Sequence, residues 1–212
     1  MVSSQQKSML IIGPGGHSRV VIDAALSTGH NLIGIIDPEY SGKDETILGV
    51  PVLGGVGILD EMDPEHVSVF VAIGSNSKRE KWIHKVKEKG FSTPTIQHPS
   101  AIISPHAEIG EAVFINAGAL INAGARIGSG AIINTGVIID HETSVGQCVH
   151  VAPGCKISGR VTIGNGTFIG IGVTVIDYIN IGEKAMIGAG SVIIKDIASG
   201  TTVVGTPGKV IK

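Results

Sequence analysis

Two of the chain's eight histidines fall in one short segment, NTGVIIDHETSVGQCVHVAPG, at 134–154. His141 is followed directly by Glu142. Imidazole is the one side chain whose unperturbed pKa lies near neutrality, and an adjacent carboxylate favours its protonated form, so the pair has the chemistry of a general base. Position alone does not assign that role, because a lone surface histidine ordinarily does nothing. A second candidate lies near the start, where GPGGHS at 13–18 sets Gly15, Gly16 and His17 between an apolar strand and a segment of helical spacing. Glycine turns of this kind cradle phosphates at a helix N-terminus. A dinucleotide fingerprint, however, wants a third glycine where Ser18 stands, and such turns also serve simply to pack a helix on a strand.

The elements that hold these residues follow from a repeat. From Ile103 to Ile193 every sixth residue is Ile or Val, sixteen positions without a miss. The residue four places later is mostly small, as in Ala107, Ala119, Ala125, Ala131, Val137 and Thr143, and the one just after is often Gly or Asn, as in Gly110, Asn116, Asn122, Gly128 and Asn134. Neither helix nor alternating strand has this period, which belongs to a solenoid. A parallel β-helix accounts for it: each hexapeptide is one side of a triangular prism, the aliphatic residue points inward, and Gly or Asn takes positive φ at the corners. Three sides make an eighteen-residue coil, and successive coils pair as parallel strands about 4.8 Å apart. Burial of each inward Ile or Val contributes roughly 1.5–3 kcal/mol.

That register brings further residues to the chemistry. His141 is the second residue after inward Ile139 and therefore faces outward, while Gly159, eighteen later, lies one coil along the same edge. A backbone N–H there could stabilise an oxyanion, or Gly159 is merely a corner glycine. Ile171 and Ala189, also eighteen apart, line a neighbouring edge, although Ile171 alone is better explained as packing. Val113, Phe114, Ile132, Ile138 and Phe168 read as outward apolar residues, which usually mark an interface.

Residues 1–98 follow a different grammar. A strand at Ser8–Ile12, a helix over Ser18–Leu26, a strand at Leu32–Ile36 ending at Asp37, a loop containing LGVPVLGG, a brief helical stretch, a strand at Val67–Ile73 closed by Gly74, and a charged helix from Asn76 to about Lys89 imply a small parallel α/β sheet. Ligands bind beyond the carboxyl ends of such strands. Fewer than 100 residues make one mononucleotide-sized half, which suits a nucleotide sugar better than NAD. Residues 99–212 form the solenoid and its tail.

Composition excludes several classes. Sixteen basic against eighteen acidic residues, with no basic cluster, argue against nucleic acid. No apolar stretch approaches the roughly 20 residues that span a bilayer, and MVSSQQKS is too polar for export, so a soluble cytoplasmic protein with Cys148 and Cys155 reduced is expected.

The combination of GPGGHS, the AIGSN segment at 72–76, a hexapeptide solenoid and the terminal VGTPGK at 204–209 resembles the N-acetyltransferases of nucleotide-linked 4-amino sugars. The bacillosamine-pathway and perosamine enzymes are the nearest in pattern, with sialic acid O-acetyltransferases as cousins. The resemblance implies a left-handed β-helix after a nucleotide-binding domain, acetyl-CoA as co-substrate, no metal, and a homotrimer with its active site between subunits. It implies His141 as base, Glu142 as the group that tunes or orients it, and Gly159 as oxyanion donor. Gly15, Gly16, His17, Asp37 and Gly74 would contact the sugar nucleotide, and His150, Ile171 and Ala189 the coenzyme. Where the bacillosamine enzymes carry an acidic pair, Asp37 is followed by Pro38, which leaves the nucleotide open. O-acetylation uses the same base chemistry and stays open as well. A metal-binding β-helix would need three suitably placed histidines, whereas His141 and His150 are nine apart and His98 and His106 lie coils away or at the junction.

Overall fold

A computed structural model describes residues 7–42 and 45–212. The chain divides into two compact units, Met1–Ile96 and Gln97–Lys212.

The first unit is built on a sheet of β1 (Ser8–Ile12), β2 (Leu32–Ile36), β3 (Thr46–Ile47), β4 (Val50–Gly54) and β5 (Val67–Val71), in the order β3-β4-β2-β1-β5. Central β1 pairs in parallel with both β2 and β5, and Leu10, Ile11 and Ile12 are fully buried, as expected of a strand covered on both faces. Helices α1 (Gly16–Ser27) and α2 (Asn76–Glu88) follow β1 and β5. The turn-rich stretch expected as a loop instead folds as the β3–β4 hairpin, turned at Leu48 and Gly49 with φ of 50° and 82°. Two successive positive φ values give the twist that a tight hairpin needs. The brief helical stretch is a 3₁₀ turn at Val56–Glu61.

The second unit is a three-sided solenoid of two-residue strands. One face stacks Ile102–Ile103, Leu120–Ile121, Ile138–Ile139, Lys156–Ile157, Thr174–Val175 and Val192–Ile193. The second stacks Glu108–Ile109, Arg126–Ile127, Ser144–Val145, Thr162–Ile163 and Asn180–Ile181. The third runs through Phe114–Ile115, Ile132–Ile133, His150–Val151, Phe168–Ile169 and Met186–Ile187 to Thr202–Val204, on which Lys209–Val210 folds back antiparallel. The coil pairs are parallel with a register of eighteen, as in Ile139 with Ile157, Val145 with Ile163 and Val151 with Ile169, up to the last pair on the third face, where Met186 meets Thr202 and Ile187 meets Val203, sixteen apart. The interior is one continuous aliphatic cluster.

Two expectations are corrected. Positive φ falls three residues after the inward aliphatic, as at Gly136 (64°) and Gly154 (71°), and not one residue after it. Glycines just after the inward residue serve close approach instead: a Cβ on Gly128 would lie 2.6 Å from the Gly146 carbonyl carbon. Of the residues read as outward and apolar, Val113 is four after Ile109 and points into the core, and Phe114 and Ile132 are also buried. Ile138 is exposed and Phe168 half-buried.

Gly128→Ala is expected to lower stability by about 1–3 kcal/mol, because the methyl group meets backbone that can move only by parting the coils. The midpoint of urea unfolding measures it.

Candidate functional site

The turn from Asp140 to Thr143 joins Ile138–Ile139 on the first face to Ser144–Val145 on the second. Asp140 shapes its start: one carboxylate oxygen accepts the His141 N–H at 2.7 Å and a bond from Asn122 Nδ2 at 2.8 Å. The His141 N–H, then Asn122, hold the Asp140 carboxyl below its ordinary range. His141 projects outward, its side chain 55 % exposed, with Nδ1 3.4 Å from Glu142 Oε2. The same oxygen accepts from Arg160 Nε at 2.7 Å. Arg160, first by hydrogen bond and then by charge, and His141 after it, hold the Glu142 carboxyl below the usual range. A base with a carboxylate behind it, open to solvent on its other side, is the arrangement a proton-accepting group requires.

Gly159 is buried beneath this ring. A Cβ built on it would come within 2.5 Å of His141 Cε1 and 2.6 Å of Nε2. Its φ is not positive, so the corner-glycine reading fails. Glycine is required here to make room for the imidazole. Among the described residues its N–H donates no hydrogen bond, so the group remains available to an acceptor beside the ring.

Arg160 and Tyr178 escaped the sequence reading. They stand eighteen and thirty-six residues after Glu142, and the register that led from His141 to Gly159 leads equally from Glu142 to them. Arg160 donates from its terminal nitrogen to the Tyr178 hydroxyl.

The residues expected to hold a coenzyme lie elsewhere on the prism. His150 is half-buried on the third face, its Nε2 3.2 Å from Asn134 Nδ2 and its ring edge-on to Phe168 at 5.2 Å. Ile171 and Ala189 sit on turns that lead from the third face to the first. Ile171 is 57 % exposed, which overturns packing as its explanation. His141 occupies the edge between the first and second faces, so one chain does not bring these groups to it.

In the first unit, the carboxyl ends of β1, β2 and β5 open on a cleft of about 840 Å³. All five residues expected at a sugar nucleotide line it: Gly15, Gly16 and His17 after β1, Asp37 after β2, and Gly74 after β5. A Cβ on Gly15 or Gly16 would meet open space, so the chain there presents bare backbone at the start of α1, whose N-cap has no side-chain bond. Asp37 Oδ1 accepts the Glu39 N–H at 2.8 Å. Buried Arg79 fixes the opposite wall by donating to the carbonyls of Ile73 and Gly74, at 3.0 and 3.1 Å, and to Asn76 Oδ1. The sequence reading missed Lys78, Lys81, Trp82 and Lys85, which α2 turns into the cleft. Their spacing of three and four along NSKREKWIHKVKE was the available signal, since such residues share a helix face.

Among the described residues no cluster of His, Cys, Asp and Glu is placed to hold a metal ion, and no helix is long and apolar enough to cross a membrane.

Residues 8–86 match the model of the PglD N-terminal domain. UDP-N-acetylbacillosamine N-acetyltransferase of Bacillus subtilis (strain 168) is 36% identical over 117 residues, a match that spans about half of each chain (52%). Among solved structures, a variant of perosamine N-acetyltransferase from Caulobacter crescentus, in complex with CoA and GDP-perosamine, superposes with a TM-score of 0.93 and 37% identity over 97% of both chains. The acetyltransferase domain of PglB from Neisseria gonorrhoeae FA1090, in complex with acetyl coenzyme A, gives 0.91 and 33% identity over 97% of this chain and 100% of that one.

The lowered carboxyl of Asp140 gives the turn a signed pH dependence. Its bonds stabilise the fold fully above the ordinary carboxyl pKa of 3.8 and are lost as pH falls through the lower folded value. The stability difference between the wild type and Asp140→Asn is expected to be constant from neutral pH to about 4 and to shrink below that. Urea midpoints across that range measure it.

Proposed function

The chain belongs to the hexapeptide-repeat acetyltransferases that carry a PglD N-terminal domain, and we propose that it transfers the acetyl group of acetyl-CoA to the amino group of a nucleotide-linked 4-amino sugar. The observation that carries this reading is the outward imidazole of His141, backed by Glu142 and resting on Gly159. An ammonium has no lone pair, so the amine attacks the thioester carbonyl as the neutral base and gives up a proton to His141 as the C–N bond forms. The oxyanion of the tetrahedral intermediate takes the Gly159 N–H, a donor of a kind whose loss commonly costs about 2.7–4 kcal/mol of barrier. Collapse breaks the C–S bond, and the departing coenzyme thiolate recovers the proton from the imidazolium. No acyl-enzyme forms.

The cleft of the first unit receives the sugar nucleotide in this reading. The bare amides at Gly15 and Gly16 face its phosphates together with Lys78, Lys81 and Lys85, while His17, Asp37 and Gly74 complete the contacts to the sugar nucleotide. The coenzyme lies along the edge that carries Ile171 and Ala189, with His150 beside it. Because that edge is not the edge of His141, a second chain supplies it, and we assign the assembly as a homotrimer with the site between neighbours. Exposed Ile102, Ile138, Ile176 and Ile194, on the first face and the turns that leave it, support burial of that face. Use of acetyl-CoA places the reaction in the cytoplasm.

His141→Ala is expected to lower kcat by roughly 10²–10⁴-fold with an unchanged unfolding midpoint, since the side chain is exposed. Gly159→Ala, which pushes the ring aside, is expected to lower it about 10²-fold. Initial rates with matched circular dichroism decide both, and a near-normal His141→Ala rate removes the base from the mechanism. Mixed subunits test the shared site. A His141→Ala chain reassembled with an Ala189→Trp chain is expected to regain part of the activity that neither has alone; no recovery would place both groups in one subunit.

A further inference from the structure

From Ile109 to Ile187 the turn position three residues after the inward aliphatic has left-handed φ, and the three edges of the prism fill it differently, the edge from the second face to the third mixing Ala112, Gly130, Cys148, Gly166 and Lys184. Along the edge from the third face to the first it is glycine in five successive coils: Gly118, Gly136, Gly154, Gly172 and Gly190. On the edge that carries His141 it is Gly124 and then Glu142, Arg160 and Tyr178, with φ of 57°, 57° and 62°. Three consecutive side-chain-bearing residues therefore hold a backbone conformation that disfavours them.

Stability does not explain their presence. Arg160 and Glu142 are each about half exposed, and an ion pair in that setting adds little to folding. What the three residues do is bond to one another up the edge. Arg160 Nε donates to Glu142 Oε2 at 2.7 Å, its terminal nitrogen donates to the Tyr178 hydroxyl, and its guanidinium lies 5.4 Å from the centre of the Tyr178 ring. The planar guanidinium is thus gripped from both neighbouring coils, and the oxygen it binds is the one that faces His141 Nδ1 at 3.4 Å. Backbone strain held across a contiguous polar run is a feature of functional sites, and here it ends on the reacting pair.

We propose that Arg160 and Tyr178 are positioning residues: the Tyr178 hydroxyl and ring hold the Arg160 guanidinium, which holds the Glu142 carboxylate in the rotamer that faces the imidazole of His141. This rests on the reading of His141 and Glu142 as the reacting pair. Neither Arg160 nor Tyr178 touches substrate; they act on the rate through Glu142.

The test uses Arg160→Gly, Arg160→Lys and Tyr178→Phe in the full chain. Arg160→Gly suits the left-handed turn, so its thermal midpoint is expected to equal or exceed that of the wild type while kcat falls about tenfold and the KM values for acetyl-CoA and sugar nucleotide stay within twofold. Arg160→Lys, which keeps a cation near Glu142, is expected to recover at least a third of the wild-type kcat, and Tyr178→Phe to lose two- to fourfold. An Arg160→Gly chain with wild-type kcat overturns the proposal. So does a kcat loss that tracks a fall in thermal midpoint, or a rise in one KM alone, which would make Arg160 a substrate contact. A second readout is independent of turnover: the ¹⁵N resonances of the His141 ring are expected to shift in Arg160→Gly and to stay near the wild-type position in Arg160→Lys. If the wild type transfers no acetyl group, the functional reading fails and the ring resonances still decide the positioning, unchanged resonances in Arg160→Gly overturning it.

Discussion

Backbone pairing between successive coils sets each residue of the solenoid over the one eighteen places later, and the chemistry of the surface is a consequence of that stacking. The Asp140 N–H donates to the Ile157 carbonyl at 2.9 Å and the Arg160 N–H to the His141 carbonyl at 3.0 Å, so the two coils cannot slide without breaking the ladder. A slip of one residue would also turn Ile157 and Val175 out of the core. Under this constraint the imidazole of His141 has no choice but to lie over position 159, and any residue there other than glycine would meet it. The same stacking sets Glu142 beside Arg160 and Arg160 beside Tyr178.

The aliphatic interior makes such an edge tolerable. Residues such as Ile139, Val151 and Ile169 are fully buried in one unbroken cluster, so the fold does not depend on ideal geometry at every corner. Glycine relieves one edge throughout. The edge at His141 gives up that relief at Glu142, Arg160 and Tyr178, the residues of the proposed positioning chain. In the first unit the division of labour is similar: buried parallel strands fix where the turns after β1, β2 and β5 emerge, and those turns bring bare backbone and charge to a common cleft.

Much of this was legible in the sequence, and the failures have physical causes. The six-residue period survives because the inward positions are buried, with only Ile103 and Ile109 at the start partly so, and it gives both the prism and the pairing of His141 with Gly159. The five residues expected at the cleft all line it because strand ends of a parallel sheet converge whatever the loops do. The β3–β4 hairpin was lost because Pro51, Gly49 and Gly54 read as loop, whereas the sheet edge supplies their pairing. Burial of Phe114 and Ile132 was lost because a strand position that alternates outward need not be solvated. The packing reason for glycine at 159 was missed: the space left by its absent side chain receives a ring from the previous coil, and only three-dimensional stacking shows which neighbour fills it. The lysines of α2 were read only as part of a charged helix, because helix spacing alone does not say what its charged face meets.

The central claim is that the edge at His141 passes an acetyl group directly to an amine held on a nucleotide sugar. Its most direct measurement is mass spectrometry of the products and of the intact protein after incubation with acetyl-CoA and UDP-, GDP- and dTDP-linked 4-amino sugars. One of these nucleotide sugars is expected to gain a single acetyl group, with fragmentation placing it on nitrogen, while the protein mass stays unchanged throughout turnover. Acetyl on a sugar hydroxyl, an acetylated protein that forms and decays with turnover, or coenzyme released with no sugar modified would contradict it.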